Sequence, residues 1–351
     1  MFRKKLGNKG LVGLDIGSSS VKAVELAGKA GALSLVNLGF EGLQPDTVVD
    51  GQIMELNDVS GVISGVFSRH QFKTDRVAAG VSGSSVIVKN IIVPPMTEDE
   101  LQESIEWHAE EHIPFDIADV ALDYQITGKT PDSLHVLMAA CKRDFVANIR
   151  QAIQLAGKQP CVIDVDAFAL QNCYEVNYEP QAGQTVALLN VGASTSNINI
   201  VDGVRSVFTR DVSFGGNQYT AALQKEFGLT FEQAEQLKCT GKLAGDAEPR
   251  NLAPVFESVS DTLVLEVQKT FDFYRATSDN GQVQKILLSG GGSKLPRIAD
   301  FLAENFGVPV EFLDPFRKIK INGRRYDPDY LSAVVPEMAV AVGLALRGVA
   351  A

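Results

Sequence analysis

Two segments of this chain repeat one pattern at an offset of 175 residues: Leu14-Asp15-Ile16-Gly17-Ser18-Ser19-Ser20-Val21 and Leu189-Asn190-Val191-Gly192-Ala193-Ser194-Thr195-Ser196. Each is an apolar, strand-like run closed by Asp or Asn, then Gly, then small hydroxyl-rich residues, then a second strand-like run (Val21 to Leu26; Asn197 to Val201). A hairpin of this kind turns a row of backbone N–H groups toward one point, an arrangement suited to an anion. Two such hairpins facing each other would hold a polyphosphate from both sides. Asp15 and Asn190 at the strand ends would reach the water shell of a Mg²⁺ ion. Lys22, just beyond the first loop, would reach a phosphate.

A third segment adds to the pattern. Lys285 to Ser289 reads as a buried strand running into Gly290-Gly291-Gly292-Ser293-Lys294, and a helical spacing follows at Ile298, Phe301, Leu302 and Phe306. Glycines there let backbone approach a flat ligand such as a purine. One glycine-rich turn is a weak signal, whereas three in this order are far more specific.

With 351 residues the chain has room for two domains of ordinary size. Its hydrophobic content of 45% supports large cores. A net charge of −11 argues against a nucleic-acid footprint, which needs a basic patch. Arg3, Lys4, Lys5 and Lys9 are a local basic exception, read as a frayed leader or as a contact to an anionic membrane surface. The strongest apolar run, Met338 to Leu346, falls well short of the ~20 residues of a membrane span, and Met1-Phe2 leads into charges rather than a signal peptide. Cys141, Cys161, Cys173 and Cys239 have no metal-type spacing and read as buried free thiols of a reducing compartment. A cytoplasmic protein is expected.

Along the chain, residues 11–26 read as a hairpin, 33–40 as a strand, 59–67 as a helix, and 76–81 and 86–93 as strands. Thr97-Glu98-Asp99-Glu100 is a capping box opening an acidic helix that Pro114 closes. Strands at 120–127 and 134–141 and a helix at 143–156 follow. This block, 82–160, reads as an insertion. The core pattern returns with a strand at 162–165 and a helix from Asp166. The second hairpin and a strand at 204–212 come next, then helices at 218–227, 230–238 and 255–276, the glycine strand and its helix, and one closing helix from Pro336. The self-similarity is that of a duplicated α/β domain.

Single residues admit two readings. Asp166 is either a helix N-cap or the group that orients an attacking water. Glu235 and Lys238 lie on one helical face, where they make either a solvent ion pair or contacts to two sugar hydroxyls, with Gly215 and Gly216 bringing that helix toward the cleft. His108 and His112 have the spacing of a zinc pair, but Ala109 stands where the motif needs Glu, so metal binding is not expected there. Trp107 reads as a core anchor by default and as an interface anchor otherwise.

On these motifs the chain resembles the actin/Hsp70/sugar-kinase ATPase superfamily. The first hairpin matches its phosphate-1 motif, the second its phosphate-2 motif, and Ser289 to Lys294 its adenosine motif. Gly13 to Leu26, Pro94 to Phe115, Phe214 to Lys238 and Pro336 to Arg347 narrow the likeness to the PilM family, the FtsA-like actin homologues of type IV pilus assembly. The resemblance spans nearly the whole chain. It implies an actin-like (ribonuclease H-like) duplicated two-domain α/β fold with an FtsA-type 1C insertion. The subdomains would be 1A at 1–81, 1C at 82–160, 1A again at 161–183, 2A/2B at 184–335, and a C-terminal helix at 336–351 returning to 1A.

The resemblance further implies ATP and Mg²⁺ as ligands. Gly17, Ser18, Ser19, Ser20, Lys22, Gly192, Ala193, Ser194 and Thr195 would lie at the phosphates. Gly215, Gly216, Glu235, Lys238, Gly290, Gly291, Gly292, Ser293 and Lys294 would hold the nucleoside, Asp15 and Asn190 the metal, and Asp166 the water. The family pattern has Asp where this chain has Asn190, which weakens metal hold and hydrolysis. The implied partners are the N-terminal cytoplasmic peptide of a PilN-type membrane protein, other inner-membrane pilus proteins and the motor, with only peripheral membrane contact. An FtsA-like self-associating membrane tether and a small-molecule kinase of the same superfamily are the other readings.

Overall fold

The computed structural model describes residues 10–243, 251–278 and 281–349. The basic residues at positions 3–9 lie outside them. Strands β1 (Val12–Ile16), β2 (Ser20–Lys29) and β3 (Ala32–Gly42) form an antiparallel meander. A small hairpin, β4 (Val48–Val49) with β5 (Gln52–Ile53), leads to α1 (Leu56–Arg69) and then β6 (Arg76–Val81). The chain then leaves this sheet for β7 (Val86–Val93), α2 (Glu98–Glu110), β8 (Val120–Lys129) and β9 (Leu134–Lys142). It returns through α3 (Arg143–Leu155), β10 (Gln159–Val165) and α4 (Asp166–Asn177).

The second half opens with β11 (Thr185–Val191), β12 (Ser196–Asp202) and β13 (Arg205–Val212). Helices α5 (Gly216–Phe227), α6 (Phe231–Thr240) and α7 (Ala253–Thr277) follow, then β14 (Lys285–Ser289), α8 (Ile298–Phe306) and β15 (Val310–Phe312). The chain closes with α9 (Pro328–Val334) and α10 (Ala339–Ala345).

Among the described residues the two large sheets run β10-β6-β1-β2-β3 and β13-β12-β11-β14-β15. They are the same sheet twice. In each a hairpin pairs antiparallel with the strand after it, and a parallel strand lies on the far side of the hairpin's first strand. The duplication read from the hairpins therefore extends to whole domains. The inserted strands make a separate sheet, β7-β9-β8, with α2 on one face. The capping box at Thr97 is formed, the Glu100 N–H donating to Thr97 Oγ1 at 3.2 Å and the Thr97 N–H to Glu100 Oε2 at 2.7 Å. Helix α3 packs its Phe145, Ile149 and Ile153 into the core shared by α1 and the first sheet.

Three sequence expectations change here. Trp107 is 65% exposed, edge-on to His108, and is no core anchor, because α2 buries the opposite stripe of Leu101, Ile105 and Ala109. The expected single closing helix is divided: Val335 to Glu337 form a 3₁₀ turn around Pro336, and α10 starts only after Met338. Of the four cysteines, Cys141 and Cys173 are buried, but Cys239 is exposed and Cys161 half-buried. Helix α9 and strand β15 carry no strong sequence period, although Asp327 capping a helix that begins at Pro328 is a recognisable start signal.

Helix α10 is wholly buried, and it lies against β1 and α4. Contact there is backbone to backbone. A side chain on Gly343 would collide with the Ala169 carbonyl, and one on Gly13 with the Ala341 carbonyl and the Ala345 nitrogen. Replacing Gly343 by Val is expected to lower stability by about 3 kcal/mol through overpacking against rigid backbone. Gly61→Ala on the exposed face of α1, where nothing lies within 4 Å, should be neutral or stabilising. Chemical denaturation of the two variants beside the parent checks the contrast.

Candidate functional site

The two hairpin turns close with matched bonds. The Gly17 N–H donates to the Ser20 carbonyl at 3.0 Å and the Gly192 N–H to the Thr195 carbonyl at 3.0 Å. Position 15 lies directly across from 22, and 190 from 197, so the duplication aligns pairs as well as residues. The pairs differ in chemistry. Lys22 Nζ and Asp15 Oδ2 form an ion pair at 3.2 Å. In the second hairpin Asn190 Nδ2 donates to Asn197 Oδ1 at 3.1 Å.

The second hairpin is fused to helix α5. The Gly216 and Asn217 N–H groups donate to the Gly192 and Ala193 carbonyls at 2.9 and 2.8 Å, and Asn217 Nδ2 donates to Ser194 Oγ at 3.1 Å. Gly215 allows this approach, since a Cβ there would stand 2.5 Å from the Ala193 oxygen. The glycine triplet is held likewise. Gly290 has φ +86° and donates its N–H to the Pro336 carbonyl at 2.8 Å, while Gly292 lies against Val191.

Between the two hairpins and the triplet is a cavity of about 570 Å³. Asp15, Gly17, Ser18, Ser19 and Lys22 line it from one side. Asn190, Gly192, Ala193, Ser194 and Thr195 line it from the other. Gly216, Glu235, Lys238, Gly290, Gly291, Gly292, Lys294 and Asp166 complete the walls among the residues singled out by sequence. Three more do not line it. Gly215 lies behind the second hairpin. Ser293 is buried with its hydroxyl bonded to the Gly290 carbonyl at 2.7 Å, and Ser20 is buried with a hydroxyl that has no partner.

Glu235 and Lys238 pair at 2.7 Å and share the Thr220 hydroxyl, which donates to Glu235 at 2.7 Å and accepts from Lys238 at 2.9 Å. Lys238 also donates to the Gly216 carbonyl at 3.2 Å. The ion-pair and cleft-facing readings of these two residues thus coexist. Lys294 reaches across to Glu337 at 2.6 Å.

Four polar residues of the site escaped sequence reading. Ser82 and Asn197 line the cavity, as does Glu337. Asp211 sits one strand behind, accepting from Asn197 Nδ2 at 2.8 Å and from the Gly83 N–H at 2.6 Å. Asn197 was accessible by carrying the Asp15/Lys22 pairing over to the second copy. Ser82 and Asp211 come from segments with no motif, and Glu337 from the closing segment 336–347, where the resemblance gave it no role.

Lys22 lies among three carboxylates. Burial pushes its ammonium down, but Asp15, Glu337 and Asp166 more than offset this, and its pKa is raised. Burial, with Asp15 adding to it, pushes the Asp166 carboxyl up to about 8, against a hydrogen bond with Ser82 that favours the anion. Burial also raises Asp211, opposed by its bonds from Asn197 and Gly83. Asp166 is the first residue of α4 rather than its cap, which is Val165.

Among the described residues no group of three or more His, Cys, Asp or Glu side chains is arranged to hold a metal by itself. That fits Mg²⁺, which keeps most of its waters and takes one or two protein groups beside a ligand's phosphates. Asp15 supplies an anionic oxygen and Asn190 a neutral one. The hairpin amides and Lys22 suit the phosphates.

The duplicated sheets, the facing hairpins and the inserted sheet define an actin-like ATPase fold. Solved structures of the same architecture include MreB5 of Spiroplasma citri bound to AMPPNP (13% identity, 96% of this chain and 95% of that one, TM-score 0.54) and the ethanolamine utilization protein EutJ of Carboxydothermus hydrogenoformans (13%, 98% and 91%, TM-score 0.59). The cell division protein FtsA of Streptococcus pneumoniae is 22% identical over 86% of this chain and 75% of its own length.

Within that class the chain belongs to the PilM family: the model of the type IV pilus assembly protein PilM matches residues 13–349. A structure described as the PilM-PilN type IV pilus biogenesis complex aligns at 28% identity over 98% of this chain and 100% of that one, with a TM-score of 0.87.

Asp166 makes a pH prediction. Its folded pKa of about 8 lies above the ordinary value of 3.8, so between those limits the native state holds a proton that the unfolded chain gives up. Stability from this group is therefore fully present below the ordinary value and is lost as pH rises toward 8. Asp166→Asn should flatten the fall in melting temperature between pH 5 and pH 8. An unchanged slope in thermal unfolding across that range would contradict the assignment.

Proposed function

We propose that this protein is a nucleotide-responsive scaffold of type IV pilus assembly. It binds ATP with Mg²⁺ in the cavity between the two halves and carries the N-terminal cytoplasmic segment of a PilN-type membrane protein. The observation that carries the nucleotide part is the pair of turns, Gly17 to Ser20 and Gly192 to Thr195, closed by equal bonds and facing one cavity with Lys22 between carboxylates. The family membership and the close structural likeness to a PilM-PilN complex support the partner.

In this reading the Gly17–Ser19 and Gly192–Thr195 backbones and Lys22 hold the phosphates, and Glu235 and Lys238, braced by the buried Thr220, meet the sugar. Gly290–Gly292 and Lys294 flank the base. Asp15 and Asn190 meet the metal's water shell, and Asp166 faces an attacking water. The charge that a second Asp would offer the metal is missing at Asn190, so turnover is slow or absent and binding itself does the work. Among the described residues no single helix is long and apolar enough to cross a membrane, and contact with the inner membrane comes through the partner from the cytoplasmic side. The peptide occupies a groove between the first domain and the inserted sheet, and further pilus and motor proteins attach through the same assembly. ATP binding biases the groove by its differential affinity for the closed cleft.

Calorimetric titration with ATP plus Mg²⁺, with and without a synthetic PilN-type N-terminal peptide, tests the reading. Both should bind, each altering the other's affinity by the same factor. Asp15→Ala should lose nucleotide binding about tenfold or more and with it the nucleotide's effect on the peptide. Peptide binding that ignores nucleotide in the parent protein would sink the coupling, and no ATP binding at all would sink the nucleotide assignment.

A further inference from the structure

A chain of side-chain hydrogen bonds leaves the cavity through the second hairpin. Ser289 Oγ donates to Asn190 Oδ1 at 3.1 Å, Asn190 Nδ2 donates to Asn197 Oδ1 at 3.1 Å, and Asn197 Nδ2 donates to Asp211 Oδ1 at 2.8 Å. Asp211 Oδ2 accepts from the Gly83 N–H at 2.6 Å, at the root of the inserted sheet. The Ser289–Asn190 and Asn190–Asn197 links could each run in either direction, because a carboxamide carries a donor and an acceptor at the same distance and a hydroxyl serves as either. The exception is Asp211, which in its ionised form only accepts. Its two oxygens meet two N–H groups, so Asn197 must turn its NH₂ outward and its oxygen toward Asn190. Asn190 must then turn its NH₂ toward Asn197.

We propose that Asp211 is a positioning residue for the cation site: acting through Asn197, it fixes the Asn190 carboxamide so that its oxygen faces Ser289 and the cavity. This rests on the reading of Asn190 as a contact to the water shell of Mg²⁺. A water bound to Mg²⁺ is a donor, so it needs an oxygen there, and the NH₂ group would repel it. In the first half the carboxylate of Asp15 stands in the cavity and needs no such orientation. In the second half the acid lies behind the neighbouring strand at position 211, and two amides relay its polarity inward. The second oxygen is held by Gly83, so the acid cannot turn away.

The test is a reversal followed by a rescue. In Asp211→Asn the Gly83 N–H still finds an oxygen, and the new NH₂ faces Asn197. All bonds can then be satisfied with the whole chain turned round, which puts the NH₂ of Asn190 at the cavity. The expected result is an ATP affinity without Mg²⁺ close to that of the parent, with the gain on adding Mg²⁺ reduced about tenfold. Adding Asn190→Asp to that variant supplies an acceptor-only group at the cavity end, satisfies the turned chain and should restore the gain. A merely structural Asp211 would not be rescued by a change two side chains away. An unchanged Mg²⁺ gain in Asp211→Asn, or no recovery in the double variant with its melting temperature intact, overturns the proposal.

The side-chain amides of Asn190 and Asn197, followed by NMR in nucleotide-free protein carrying ¹⁵N-labelled asparagine, give a reading independent of nucleotide. Their signals should shift together in Asp211→Asn, and unmoved signals count against the relay. Should the parent protein bind no ATP, the nucleotide reading fails while these signals still decide the orientation.

Discussion

Everything in the site depends on how a tight hairpin disposes of its backbone N–H groups. In each turn one N–H is consumed internally, from Gly17 to Ser20 and from Gly192 to Thr195. In the second turn glycine at the first position is what lets it fold that tightly, since a Cβ at Gly192 would stand 2.7 Å from the Thr195 oxygen. Ser18 and Ser19 of the first turn, and Ala193, Ser194 and Thr195 of the second, line the cavity. The sheets exist to bring two such turns face to face, and the parallel strands β6 and β14 brace them from behind.

The two copies have diverged in charge while keeping geometry. The first carries Lys22 and Asp15 into the cavity, and the second carries two amides there with its acid withdrawn to Asp211. In the proposed function a polyphosphate between them meets a charged wall and a neutral one, and its two ends are not equivalent. Orientation of the ligand follows from the asymmetry rather than from any single contact.

Much of this was legible in the sequence because it is local. Gly, hydroxyl residues and a strand-end acid occupy consecutive positions, and their repetition shows once the two stretches are aligned. The inserted sheet announces itself by the Thr97 capping box and by β7 to β9. The rest depends on strands far apart in the chain. Glu337 enters the site only because Pro336 accepts from Gly290, and Asp211 only because β13 lies beside β12. Ser20 shows the reverse: it belongs to the motif, yet its side chain is buried and does not line the cavity. Trp107 was misplaced because a lone aromatic on an amphipathic helix gives no sign of which side of the apolar stripe it occupies.

Helix α10 carries a consequence for synthesis. It is buried against β1 and α4 and fits through Gly13 and Gly343, so the clusters begun at Leu11 and Val24 are sealed only by residues of that helix and the segment just before it. As the chain emerges from the ribosome, the faces of both sheets that meet α10, with Val24, Leu38, Leu188 and Leu287, stay uncovered until that helix is made. Contacts of such long sequence separation slow folding, and an exposed apolar sheet in that interval is open to aggregation. The clusters that contain no part of α10, Val12 to Phe168 in the first half and Ala187 to Leu302 in the second, can form before it.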